Sequence, residues 1–251
     1  MLYCWSRAGL LGRVYLRRRV VMQQLHPDLW ITDSSLRFLG LEVGARMTVV
    51  RLPGPKLLLH SPIAAAIELV REVEALGPVE YLMAPNRFHH LFVREWQRAC
   101  PEASVYVAPG LEKKRQDLDI AGVLTDEPEP GWAGTVDQVL MGGVPLANEV
   151  VFFHRPSATL IATDLAFNVG SSSPPLTRLA FRLGGAYGRL APTLLERLLV
   201  RDRTAFRRSL ERVLEWPFER VVVAHGEVLE RGGRQELARG YSWILGDGRA
   251  A

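Results

Sequence analysis

Glu80-Tyr81-Leu82-Met83-Ala84-Pro85-Asn86-Arg87-Phe88-His89-His90-Leu91 is the stretch that decides the fold of this 251-residue chain. Residues 80–84 form a short apolar run of strand type, ended by Pro85. Residues 91–100 then place Phe92, Trp96 and Ala99 at helical spacing. The residues between are a strand-to-helix loop carrying two adjacent imidazoles, an amide and a guanidinium. Loops at the carboxyl ends of strands are where α/β proteins build their sites.

Two further strand ends carry groups of the same chemistry. Asp164 follows the β-rich run 159–163, and His225 follows the strand 220–224. Imidazole and carboxylate together suit zinc, with iron or manganese as alternatives, and His89, His90, Asp164 and His225 match one divalent ion with room for water. A single loop histidine usually packs or hydrogen-bonds, and a strand-terminal aspartate usually closes a turn. Delivery of four such groups from three strands is what points to a metal.

Working outward, strands are expected over 29–38, 47–52 and 56–60, with Pro53-Gly54-Pro55 turning the last two. Ser61-Pro62 reads as an N-cap followed by proline, opening a helix over 63–76. Strands follow at 104–108 and 136–141, and the intervening 109–134 is polar and turn-rich with one short helix near 111–117. Runs 149–153 and 159–163 flank Arg155-Pro156-Ser157-Ala158 as a hairpin. Helices are expected at 175–183, 191–199, 203–216 with Asp202 as cap, and 235–245. Strands and helices interleave without strict alternation, which predicts mixed sheets with helices outside, an α+β variant of the α/β class.

Composition narrows the function. A hydrophobic fraction of 48% supports a sizeable core, and 23% charged residues with aromatics along the whole chain argue against disorder. No apolar run reaches the roughly 20 residues of a membrane span, so stable membrane insertion is not expected. The net charge of +4 comes from the start of the chain. Residues 1–22 hold Arg7, Arg13, Arg17, Arg18 and Arg19 and no acid, and without these five arginines 26 basic residues face 27 acidic ones. The remainder, 23–251, is expected to be one near-neutral domain that does not bind nucleic acid. Residues 1–22 read as a frayed basic extension, or as an amphipathic membrane-surface segment. Cys4 and Cys100 are the only cysteines, which fits a reducing cytoplasm and no disulfide framework.

The loop 81–91 resembles the metal-binding loop of the metallo-β-lactamase fold superfamily, which reads T-H-x-H-x-D-H after a strand. Residues 159–167, with Thr163-Asp164-Leu165, resemble the strand that delivers that family's bridging aspartate. Residues 209–226 resemble its late helix and strand ending in His-Gly. The resemblance implies an αββα sandwich of two mixed sheets flanked by helices, in an uncharacterised branch with an altered loop. Pro85 and Arg87 stand where the family has its H-x-H pair, and proline and a permanently protonated guanidinium cannot ligate a metal. Pro145 stands near the position of that site's third histidine. One of two metal sites is therefore expected to be missing. In the other, His89 replaces the family's aspartate, while His90, Asp164 and His225 match its ligands.

The implied function is a metal-dependent hydrolase with a single site, metal-bound water as nucleophile and a small-molecule substrate. The competing reading is a non-catalytic or degenerate metal- or ligand-binding member. Asn86 and Arg87 are candidates for orienting an anionic substrate, or for a turn and a surface ion pair. Glu149 is a candidate base, ligand or hydrogen-bond acceptor behind the ligands, or an exposed edge residue. His154, in the hairpin turn, leans to a structural role, and Asn168 and Glu227 flank the candidate ligands. His26 and His60 are assigned to structure.

Overall fold

The structure is a computed structural model that describes residues 21–246. The basic extension assigned to 1–22, with Cys4, lies outside the described residues apart from Val21 and Met22. Met22 opens the first strand. Strands β1 (Met22–His26), β2 (Leu29–Ser34), β3 (Arg37–Phe38), β4 (Leu41–Glu42), β5 (Ala45–Arg51) and β6 (Leu57–His60) precede helix α1 (Ile67–Glu74). Strand β7 (Val79–Ala84), helix α2 (Val93–Ala99), strand β8 (Ser104–Val107), helix α3 (Leu111–Lys114) and strand β9 (Ile120–Val123) follow. All but the small β3–β4 ribbon form one seven-stranded sheet in the order β1-β2-β5-β6-β7-β8-β9. Its pairs are antiparallel as far as β6 and parallel from β6 to β9.

The second sheet is β10 (Val136–Leu140), β11 (Val150–His154), β12 (Thr159–Ile161) and β13 (Arg220–Val222), with β13 parallel to β12. Helices α4 (Pro175–Leu183), α5 (Leu194–Leu199) and α6 (Arg203–Glu215) separate β12 from β13, and α7 (Gly233–Gly240) and α8 (Ser242–Leu245) close the described chain.

The central strands β6, β11 and β12 read as near-continuous apolar runs because both of their faces are covered. Successive residues alternate between them. Leu57 and Leu59 face outward to Leu69, Val73 and Trp96 of α1 and α2, whereas Leu58 faces inward to Phe152 and Ile161 of the second sheet. On β11, Val150 and Phe152 point inward, while Val151 and Phe153 pack outward with Phe206 and Leu210 of α6. The result is the expected helix–sheet–sheet–helix sandwich. Arg46 stitches it across one end: its buried guanidinium pairs with Asp33 at 2.7 Å and donates to the Val223 carbonyl beyond β13 at 2.8 Å.

Several local expectations shift, each for a packing reason. The helix expected over 63–76 begins only at Ile67, because 62–66 is held extended by α2. The Trp96 indole donates to the Ile63 carbonyl at 2.7 Å, and the Glu95 carboxylate accepts from the Ala65 N–H at 3.0 Å. Ser61 therefore caps nothing. Edge strands β1 and β9 were not expected; β9 is short and only half-buried, so its apolar signal is weak. The terminal helix 235–245 breaks into α7 and α8 at Tyr241, whose buried hydroxyl donates to the Leu165 carbonyl. Other expectations match closely: α4 spans Pro175–Leu183, and Asp202 caps α6 by accepting from Ala205 N at 2.9 Å. Among the described residues no helix is long and apolar enough to cross a membrane.

Trp96 is fully buried and carries the only bond that fixes the Ile63 carbonyl among these contacts. Trp96→Ala should lower unfolding free energy by about 3–5 kcal/mol in urea titrations, and Trp96→Phe by less, because the ring volume is kept and only the hydrogen bond is lost.

Candidate metal centre

The carboxyl ends of β7, β12 and β13 meet at one rim of the sandwich, and the residues beyond them converge. His89 Nε2 and His225 Nε2 lie 3.5 and 3.4 Å from the same oxygen, Asp164 Oδ1. One ligand atom from each of the three residues lies within 4.8 Å of the others. The two rings are 5.1 Å apart, tilted by 57°.

Each member is held from behind. His225 Nδ1 lies 2.9 Å from the Gly44 carbonyl, and Phe167 stacks on the ring at 5.5 Å. His89 Nδ1 lies 2.8 Å from Ser61 Oγ; Ser61 is buried and held in the left-handed region at φ 52°. Asp164 Oδ2 accepts from Asn86 Nδ2 at 2.7 Å. The buried Glu149 carboxylate accepts from Thr163 N (2.6 Å), Thr163 Oγ1 (2.8 Å) and Asp164 N (3.0 Å), fixing the turn that carries Asp164.

Burial, and then the Asp164 charge, push the Glu149 carboxyl up. Burial pushes Asp164 up as well, but charge and hydrogen bonding from His89 and His225 outweigh it and hold this carboxyl well below the usual range.

This geometry fits a cation. A carbonyl cannot donate, so His225 Nδ1 carries a proton toward Gly44, which leaves Nε2 to face Asp164 Oδ1. A cation placed between the two imidazole nitrogens and the carboxylate would be within reach of all three ligand atoms. Ligands about 2.1 Å from a tetrahedral ion stand about 3.4 Å apart, close to the 3.4 and 3.5 Å found here.

The remaining candidates are placed differently. His90, expected beside His89, turns away: Arg115 Nη1 donates to its Nδ1 at 2.7 Å and Lys114 Nζ lies 3.1 Å from its Nε2. Adjacent residues on a tight loop point in different directions, and burial, then Lys114 and Arg115, lower the His90 pKa to about 4. Arg87 does not face the triad; its guanidinium donates to the Pro145 carbonyl at 3.0 Å. Arg87 and Pro145, expected to stand where two ligands of a second ion would be, are thus joined to each other. Asn168 donates to the Glu227 carbonyl at 2.9 Å, and its own backbone pairs with His225 and Glu227, so it shapes the turn after β13.

His154 sits at the far end of β11 from Glu149, paired with Thr159, against Ser157 and His26. Burial lowers its pKa to about 4. His60 is likewise buried, edge-on to Phe152, with its pKa lowered to about 3 chiefly by burial.

Ser61 and the Gly44 carbonyl had no role assigned from sequence. Ser61-Pro62 beside His60 carries no signal beyond a helix cap, and a backbone carbonyl carries none at all.

The architecture defines a metallo-β-lactamase fold. Solved structures similar to the chain include a metallo-β-lactamase from Pontibacter korlensis, with 14% identity, TM-score 0.62, and coverage of 91% of this chain and 100% of that one. The FIM-1 metallo-β-lactamase from Pseudomonas aeruginosa in its mono-zinc form is 11% identical, with TM-score 0.61 and coverage of 90% and 96%. The Flv1 flavodiiron core from Synechocystis sp. PCC6803, described as metal soaked, is 14% identical with TM-score 0.64; the match covers 92% of this chain and 62% of that one. Within that fold the chain belongs to the family described as a domain of unknown function, DUF4336, matched over residues 27–184. No curated protein sequence matches it.

Three measurements check this geometry. Asn86→Ala removes the partner of the Phe88 and His89 N–H groups and of Asp164 Oδ2, and should cost about 2–4 kcal/mol in urea unfolding. Gly226 has φ 103°, and a Cβ there would lie 2.2 Å from the Asn168 carbonyl oxygen. Gly226→Ala should therefore lower melting temperature and displace the His225 ring signals in NMR spectra.

The third concerns pH. A histidine pKa lowered from 6.5 to about 4 means the folded state binds fewer protons between those values, so His154's contribution is complete above pH 6.5 and is lost as pH falls toward 4. His154→Leu should flatten the pH dependence of stability in that window by up to about 1.4 kcal/mol per pH unit.

Proposed function

We propose that the chain is a metal-dependent hydrolase using one divalent ion held by His89, Asp164 and His225, with zinc as the first candidate. The observation that carries this reading is the convergence of two imidazole nitrogens on one carboxylate oxygen, with Nδ1 of His225 engaged by Gly44 and Nε2 facing the centre. Three protein ligands and an open position are the pattern of catalytic rather than structural zinc. An ion bound there supplies Lewis acidity and lowers the pKa of water. Hydrolysis takes up one water, its hydroxyl going to the electrophilic carbon or phosphorus and its proton to the leaving group.

The chain's own groups prepare that chemistry by holding the ligands still. Gly44 fixes the His225 tautomer, so that Nε2 rather than Nδ1 faces the centre. Asn86 and Glu149 set the rotamer and backbone of Asp164. Both Glu149 oxygens are occupied by donors, which makes it a positioning residue and not the proton acceptor. His90 is left out of the ligand set, since Lys114 and Arg115 occupy its two nitrogens.

Elemental analysis of protein purified without added metal should find one equivalent of zinc, iron or manganese. His225→Ala and Asp164→Ala should each lose it, and His90→Ala should keep it. Ester and phosphodiester substrates should be turned over by the wild type and not by His225→Ala. Two equivalents of metal would remove the single-site reading. No metal, with melting temperature unchanged in His89→Ala, would leave a non-catalytic member of the fold.

A further inference from the structure

The triad opens on a cavity of about 780 Å³, a volume within the range that holds small-molecule ligands. Its walls have two kinds of source. The loops after β6, β7, β12 and β13 contribute Ser61, His89, Asp164 and His225, with Lys114 nearby. The β3–β4 ribbon, α4 and α5 contribute mostly hydrocarbon, including Leu36, Val43, Phe181, Leu195 and Leu199.

Most polar side chains on these second walls are already engaged, the buried Arg197 Nε being an exception. Glu196 accepts from Thr193 N at 3.0 Å and from the Thr193 hydroxyl in the capping box of α5. Arg197 lies over the Trp243 ring at 5.5 Å, and Arg37 pairs with Glu42 at 3.6 Å.

A ligand with polar groups along its whole length, such as a sugar, a nucleotide or a peptide, would bury many of them without partners, which is unfavourable for each group. A ligand with one polar head and a hydrocarbon body meets no such penalty. The same elements extend the apolar wall to the outside. Leu176, Leu179 and Leu183 of α4, Leu194, Leu195 and Leu198 of α5, and Phe38 and Leu39 of the ribbon are exposed. Leu195, Phe38 and Leu39 belong both to this surface and to the cavity lining.

We infer that the cavity binds an amphiphile with a long aliphatic chain, an acyl ester or acyl amide whose carbonyl lies at the triad and whose chain runs along α4 and α5. The placement of the head rests on the hydrolase reading above; the recognition of the chain does not. In hydrolysis the acyl C–O or C–N bond breaks, the hydroxyl of water joins the acyl carbon, and its proton goes to the departing alcohol or amine.

The test is a fluorescence titration of the full chain with the fatty-acid probe cis-parinaric acid, followed by displacement with straight-chain carboxylates from butyrate to myristate. Wild type should bind one probe, and each added methylene should tighten the competitor by about three- to fourfold until the cavity is full. Ala180→Trp, which fills the cavity from α4, should weaken the probe by at least about tenfold. Leu195→Asp, at an exposed position that folding tolerates, should weaken it in the same direction and keeps the test valid if the tryptophan variant misfolds.

Displacement by butyrate as effective as by laurate would overturn the inference. So would probe binding unchanged in both variants, which would place the probe elsewhere on the exposed leucines. His225→Ala should retain chain-length selectivity. Wild-type protein that holds no metal but keeps the selectivity defeats only the hydrolase reading, and wild-type protein that binds metal without selectivity defeats only this one.

Discussion

A single buried amide joins the two sheets at the rim where the triad lies. Asn86 is fully buried and uses all four of its hydrogen-bonding positions: Nδ2 donates to Thr163 Oγ1 and Asp164 Oδ2, and Oδ1 accepts from the N–H groups of Phe88 and His89. One end of the side chain thus grips the loop after β7 in the first sheet, and the other grips the turn after β12 in the second. A buried polar group with every partner present rigidifies its surroundings, whereas a partly satisfied one is a liability. His89 and Asp164 owe their mutual position to this one residue more than to any direct contact.

Behind it, Glu149 does for the Asp164 turn what Asn86 does for the gap between sheets. Both of its oxygens receive hydrogen bonds from residues 163 and 164. The Asp164 carboxylate fixed in this way faces His89 and His225, whose charge and hydrogen bonding favour its ionised form.

Much of the fold was legible because its signals are local. The hairpin around Arg155-Pro156-Ser157-Ala158, the run Pro175–Leu183 and the Asp202 cap are written in adjacent residues. Three triad members were legible for a related reason: each follows a strand, and strand ends converge. What escaped depends on contacts between residues far apart in sequence. Ser61 meets His89 across 28 positions and Gly44 meets His225 across 181. The delayed start of α1 follows from α2 side chains that satisfy the preceding backbone. His90 was misplaced because two neighbours on a loop carry the same residue type but point to different surroundings, a distinction that composition and order do not encode. For Arg87 the sequence leaves an anionic substrate and a surface ion pair both open, and its length lets it reach the Pro145 carbonyl instead.

The parallel pairing of β13 with β12 has a consequence for how the protein matures. Asp164 and His225 become neighbours only when β13 is laid beside β12, a strand made earlier, with three helices looped out between them. Such long-range pairing is slow to form because the entropy of closing the intervening loop is paid first. A chain in which β13 has not yet docked holds no native triad, so the geometry of the three side chains reports on whether the two ends of the second sheet have been joined.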